Sequence, residues 1–154
     1  MVHPNRFERV YTMTDYYDGP RCGIADFDGR PHLYSSPFEE HQDAYSDLFE
    51  LRAVDPETLA LALEDWEIWL RWETAFHAGE VTTETHPALP ADRQRHDELA
   101  PMLEARLAAL PGPVVRARGE FRPQAGHADG GRGRWLEVKW TVVTGSATAA
   151  GSPR

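Results

Sequence analysis

Two carboxylate–imidazole pairs carry the chemistry that this sequence offers most directly, Glu73-x-x-x-His77 and Asp92-x-x-x-His96. Residues four apart share a helix face. Each pair therefore presents a carboxylate oxygen and an imidazole nitrogen together, the donor types used by a divalent metal or an acid–base site. His86 lies between the pairs and adds a fifth donor. Brought together, Glu73, His77, His86, Asp92 and His96 would make the centre of a metal-dependent hydrolase or lyase, with the divalent metal as its only cofactor. The same spacing also steadies an ordinary exposed helix by roughly a few tenths of a kcal/mol. No zinc-protease, deaminase or di-iron bundle spacing accompanies it.

A second arrangement points to binding. Trp66, Trp69 and Trp72 recur every third residue, so they form a slanted row on one helix beside the acidic Glu64 and Glu67. Tryptophan is large and rigid, and it anchors interfaces as readily as it fills cores. These five residues are the candidate partner-binding set. Asp65 and Glu73 fall in or beside the apolar arcs of the same helix, where an unpaired carboxylate is costly. Arg116 or Arg118 would be a natural intramolecular partner for them. A third arrangement is aromatic: Tyr11, Tyr16, Tyr17 and Tyr34 stand near Asp15, Asp18 and Asp26, the residue types of a cage for a cationic ligand. Aromatic side chains in strands more commonly pack across a sheet. Cys22 has no catalytic signature around it, no serine sits in a G-x-S-x-G elbow, and Gly126 to Gly133 lacks the lysine of a phosphate-binding loop.

The chain totals bound these readings. With 154 residues, 41% hydrophobic and 27% charged, the chain has the proportions of an ordinary folded domain. One cysteine excludes an internal disulfide and suits a reducing compartment, which makes the cytoplasm the expected location. Met1 to Val10 is too polar for an export signal, and Leu59 to Phe76 is interrupted by charges that are costly in lipid, so no membrane partner is expected. The formal charge is −9. A negative body repels phosphate backbones, which argues against nucleic acid as a partner. The charge is also lopsided. From Glu39 to Glu73 eleven acidic residues face two arginines, while Pro113 to Lys139 holds six basic residues against three acidic ones.

The elements that must position these residues follow from pattern. Phe7 to Tyr17 reads as a strand ending in the turn Asp18-Gly19-Pro20, and Arg21 to Phe27 alternates into Asp28-Gly29, the strongest short hairpin signal. Arg30 to Ser35 and Tyr45 to Leu51 read as the next strands. Asp55-Pro56-Glu57-Thr58 is a helix start with a capping aspartate and an early proline, and Gly79 ends the helix about 23 residues later. A second helical region, Ala91 to Leu110, is expected to kink or split at Pro101. Val114 to Arg122 and Arg134 to Val143 form a last hairpin around a glycine-rich loop, and Thr144 to Arg154 reads as a disordered tail after a single domain over 1–143.

Strands, then helices, then strands predict an α+β fold: an antiparallel sheet or small open barrel from both chain ends, with one long helix and one kinked or split helix. In element order alone this resembles a barrel of the SH3 or Tudor type with a helical insertion. Charge polarity without a convincing catalytic set favours a non-enzymatic protein-interaction domain of accessory, inhibitor or immunity type. Its expected partner is a protein with a basic surface, or a second copy in a homodimer.

Overall fold

The alternation of apolar and polar residues builds a sheet before anything else. The computed structural model describes residues 6–16, 19–36, 38–39, 44–45, 47–125 and 136–143. It contains strands β1 (Phe7–Arg9), β2 (Asp15–Tyr16), β3 (Pro20–Phe27), β4 (Arg30–Ser35), β5 (Phe38–Glu39), β6 (Ala44–Tyr45) and β7 (Leu48–Ala53), then helices α1 (Pro56–His77) and α2 (Arg93–Ala108), then β8 (Val115–Pro123) and β9 (Leu136–Val142). Seven strands make one curled antiparallel half-barrel in the order β1-β9-β8-β7-β4-β3-β2, and β5 pairs with β6 apart from it. The predicted α+β class, with an antiparallel sheet from both chain ends, is what the protein adopts.

Sequence expectation and structure differ at particular elements. The run expected as one strand from Phe7 is split, because its two halves serve opposite ends of the sheet. Phe7–Arg9 pairs with β9, whereas Val10 bridges Ala25, and the amides of Tyr11 and Thr14 donate to Ile24 and Cys22 on β3. One bent segment thus supplies both outer strands, which curls the sheet. At Pro101 expectation and structure agree: of the kink or split expected there, α2 shows the bend and stays one helix. A 3₁₀ turn, Pro90–Asp92, leads into it. Tyr17, Asp18, Pro37 and 40–43, the loop 126–133, Arg134, Trp135 and the tail 144–154 lie outside the described residues.

Local chemistry explains the well-formed parts. Asp28 and Gly29 both take positive φ, 56° and 76°, as the two-residue turn between β3 and β4 requires. The Glu8 carboxylate accepts from both turn amides, Asp28 N at 3.0 Å and Gly29 N at 2.8 Å, and so staples β1 to the hairpin tip. Asp55 caps α1 by accepting from Thr58 N at 3.0 Å. Within the sheet, Tyr34, Phe49, Phe121 and Trp140 form an aromatic cluster in which all six ring pairs lie between 5.4 and 6.1 Å. The polar tips of this cluster are satisfied by backbone. Tyr34 OH donates to Thr12 O and Trp140 Nε1 donates to Asp26 O, each at 2.9 Å.

The chain divides into two compact units, a sheet unit of residues 1–54 with 110–154 and a helical unit of residues 55–109. No helix among the described residues is long and apolar enough to cross a membrane.

Candidate functional site

The helical unit carries all the predicted partner-binding and metal residues, and its geometry follows from opposite charges on α1 and α2. The helices run antiparallel, so α1 residues 64, 65 and 71 meet residues 92, 95 and 96 at the start of α2. Arg71 donates to both oxygens of Asp92, at 2.9 and 3.0 Å, and Arg95 likewise grips Glu64 at 2.6 and 2.8 Å. His96 Nδ1 donates to Asp65 Oδ1 at 2.8 Å. Further along, Arg106 reaches Glu57 at 3.0 Å and Thr58 Oγ1 at 3.3 Å. Together these contacts zip the two helices along their length.

This zipper redistributes the predicted site residues. Glu73 and His77 do approach one another, Oε2 to Nε2 at 3.8 Å, and Glu73 is buried with 8% of its surface exposed. Asp92 and His96 do not form the expected pair. A planar guanidinium takes both carboxylate oxygens more strongly than one imidazole can, so Arg71 captures Asp92 and leaves His96 to Asp65. His86 is exposed and sets its ring edge-on to Trp72 at 4.7 Å. Among the described residues no three His, Cys, Asp or Glu side chains gather where they would hold a metal ion.

The tryptophan row is mostly interior. Trp66 and Trp72 are buried and Trp69 is half-buried, with Trp66 stacked on Trp69 and Trp72 stacked on Phe76, each at 5.0 Å. Trp72 Nε1 donates to Thr85 Oγ1 at 2.9 Å, and Arg93 holds the carbonyls of Thr85 and His86 at 2.8 and 3.3 Å. The segment between the helices is thereby pinned to α1. Of the five expected anchor residues, Glu64 is committed to Arg95 and Glu67 stands exposed. Asp65 and Glu73, for which Arg116 or Arg118 is the partner suggested by sequence, meet His96 and His77 within the helical unit. Arg116 meets Glu50 at 3.7 Å and Arg118 meets Asp47 at 2.6 Å, both within the sheet unit, because β7 and β8 are neighbours. Among the described residues the tyrosines do not gather as a cage. Tyr34 is in the core, Tyr11 lies under Arg9 at 4.3 Å, Tyr16 is exposed, and Tyr17 lies outside the described residues.

Sequence reasoning missed Arg71, Arg93, Arg95 and Arg106 as organising residues. A signal was present, since the acidic doublet Glu64-Asp65 is matched by the basic doublet Arg95-His96.

The folded units also separate the charge. The helical unit holds twelve acidic residues against four arginines, net −8. The remainder holds thirteen acidic against twelve basic residues, net −1. All four arginines of the helical unit have a carboxylate of that unit within 4.0 Å. Glu67, Glu80, Glu84 and Glu104 are exposed and make no salt bridge among the described residues.

Particular carboxyls in the two units are shifted in opposite directions. The side-chain bonds from Arg95 to Glu64 and from Arg71 to Asp92 hold both carboxyls below their usual range, as the Thr58 hydroxyl does for Asp55. A lowered folded pKa means that the unfolded chain binds more protons. The stability these groups contribute is therefore present at neutral pH and lost as pH falls through their folded values. Asp26 is the reverse case. Burial pushes its carboxyl up, the hydrogen bond from Tyr11 opposes that rise, and its Oδ1 is buried with no hydrogen-bond partner among the described residues. Its raised folded pKa means that the folded chain binds more protons, so ionised Asp26 weakens the fold as pH rises from the ordinary aspartate range through the folded value. Asp26→Asn is therefore expected to gain stability relative to wild type as pH rises from acid to neutral. Urea midpoints of both proteins across that range check this, and a difference that stays flat or shrinks with pH would be the contrary result.

No known protein family, curated protein or solved structure matches this chain.

Proposed function

We propose that this protein is a non-enzymatic protein-interaction module whose acidic helical unit docks on a basic protein surface. The supporting observation is the segregation of charge, −8 on the helical unit against −1 on the rest, with the cations of that unit already engaged by its own carboxylates. A field of one sign speeds encounter with an oppositely charged surface and disfavours nucleic acid. The exposed Glu67, Glu80, Glu84 and Glu104 are the carboxylates free to meet the partner's cations, and half-buried Trp69 offers apolar area on the same helix as Glu67. The carboxylates locked to arginine hold the shape. The lone cysteine suits a reducing compartment, and we place this action in the cytoplasm.

The test removes charge without touching the zipper. In the quadruple variant Glu67→Gln, Glu80→Gln, Glu84→Gln and Glu104→Gln, all four substitutions fall on exposed positions, so the thermal midpoint should stay near that of wild type. Partner capture on the immobilised full chain should be lost in the variant and should weaken in wild type as salt is raised. Capture by the variant at wild-type level, or binding indifferent to salt, would refute the proposal.

A further inference from the structure

The sheet unit is nearly neutral in total, yet its cations are not evenly spread. Strand register fixes which side chains share a face. Phe7 lies opposite Lys139 and Arg9 opposite Glu137, while Lys139, Glu137 and Thr141 lie opposite Glu120, Arg122 and Arg118 in turn. Side chains alternate along a strand, and the partners on this face are exposed or half-exposed, whereas Ala117, Val138 and Trp140 on the other face are buried. The outward face of β1, β9 and β8 therefore carries Arg9, Arg116, Arg118, Arg122 and Lys139 against Glu120 and Glu137, a local charge of +3.

The cations of this face are oriented as well as numerous. The Arg122 guanidinium lies on the Phe7 ring, 3.5 Å from its centroid, with the Lys139 ammonium 5.4 Å from the same ring. Arg122 spends Nε on Glu137, which leaves its terminal nitrogens for an incoming carboxylate. Arg9 lies on the Tyr11 ring and makes no salt bridge among the described residues. Glu50, Asp47, Glu137 and Glu120 meet Arg116, Arg118, Arg122 and Lys139 in turn, so five cations stand against four carboxylates and the cation without a salt bridge among the described residues is Arg9, at the β1 side.

We propose that this face docks the acidic helical unit of a second copy of the same chain, each copy offering its helices to the other's sheet. The inference rests on the acidic-docking reading above and names its partner. A protein of net charge −9 repels its own copies overall, but at about 0.1 M salt that repulsion is screened beyond about 10 Å, while contacts between exposed helix carboxylates and the cations around Arg9 act at close range. A reciprocal contact closes at two copies instead of growing into a chain.

Sedimentation of the full-length protein across a concentration series is the test. At about 0.1 M salt a concentration-dependent dimer is expected, and at about 1 M salt its dissociation constant should rise about tenfold or more. The sheet variant Arg9→Gln, Arg122→Gln and Lys139→Gln, and separately the helix variant Glu67→Gln and Glu104→Gln, should each weaken the dimer by a similar factor while keeping the wild-type near-ultraviolet dichroism. To guard against a merely misfolded variant, Arg9→Glu with Arg118→Glu should dimerise with Glu67→Lys plus Glu104→Lys, although neither does so alone. A monomer at every concentration would overturn self-docking, yet salt-sensitive capture of a different basic protein would leave the acidic-module reading standing. A labelled single-stranded oligonucleotide that binds wild type but not the sheet variant would overturn it too, by assigning the face to nucleic acid.

Discussion

Replacing Gly23 with alanine is expected to unfold the sheet unit or to lower its thermal midpoint more than any other single methyl addition in the described strands. A Cβ at Gly23 would stand 2.2 Å from Thr12 O, 2.8 Å from Thr12 C and 2.6 Å from Tyr34 OH. Two of these atoms are backbone and cannot swing aside. The third is the hydroxyl that donates to Thr12 O, and Thr12 Oγ1 in turn accepts from Ile24 N at 2.9 Å. Relief requires the segment after β1 to leave β3, which opens the curl at the strand shared by both ends of the sheet. Overpacking a core ordinarily costs about 1–3 kcal/mol. With backbone as the obstacle and a hydrogen-bonded tyrosine in the same contact, about 3–5 kcal/mol is expected, a large part of a typical domain's total stability. Gly29→Ala is the control. Gly29 has φ of 76° and nothing within 4 Å of a new Cβ, so only the conformational penalty of about 1–2 kcal/mol applies. Denaturant unfolding of both variants checks the order, and a Gly23→Ala protein as stable as Gly29→Ala would contradict this account of the close approach.

Trp72→Ala should be the most damaging substitution in the helical unit. The ring is buried, stacks on Phe76, receives the edge of His86 and donates to Thr85, so it ties α1 to the segment that leads into α2. Truncating a buried tryptophan costs about 3–5 kcal/mol. Trp72→Phe keeps an aromatic ring in the stack but removes the indole N–H. Thr85 Oγ1 still donates to Thr82 O at 3.0 Å, so that variant should lose only about 0.5–1.5 kcal/mol plus a small packing term. Thermal melts followed by helical dichroism would separate the two. Equal, small losses would mean that the stack contributes little and that the segment is held by Arg93 alone.

Much of this protein is legible in its sequence, and the legible parts share a cause. The Asp55 cap with Pro56, the Asp28-Gly29 turn and the period-two alternation of β8 and β9 depend on residues only a few positions apart, where backbone conformation and nearest neighbours decide the outcome. Pro101 belongs with the legible parts, since a proline inside a helix removes one backbone hydrogen bond and the expected kink is met by a single bent α2. The candidate site was less legible. Glu73 and His77 met because they share one helix, but the Asp92 and His96 pair gave way to Arg71 and Asp65 across the helix pair, a competition between partners 21 and 31 residues distant.

The amino-acid sequence by itself determined the α+β class, the positions of most elements and the total of −9, all properties of composition and short-range pattern. Only the tertiary structure decided that β1 and β2 serve opposite ends of one sheet, that Tyr34, Trp66, Trp72 and Trp140 are interior, and that nearly all the net charge belongs to the helical unit. Burial and ion pairing are set by whichever side chains the folded chain brings within a few ångströms, and separation along the chain places no fixed limit on that choice.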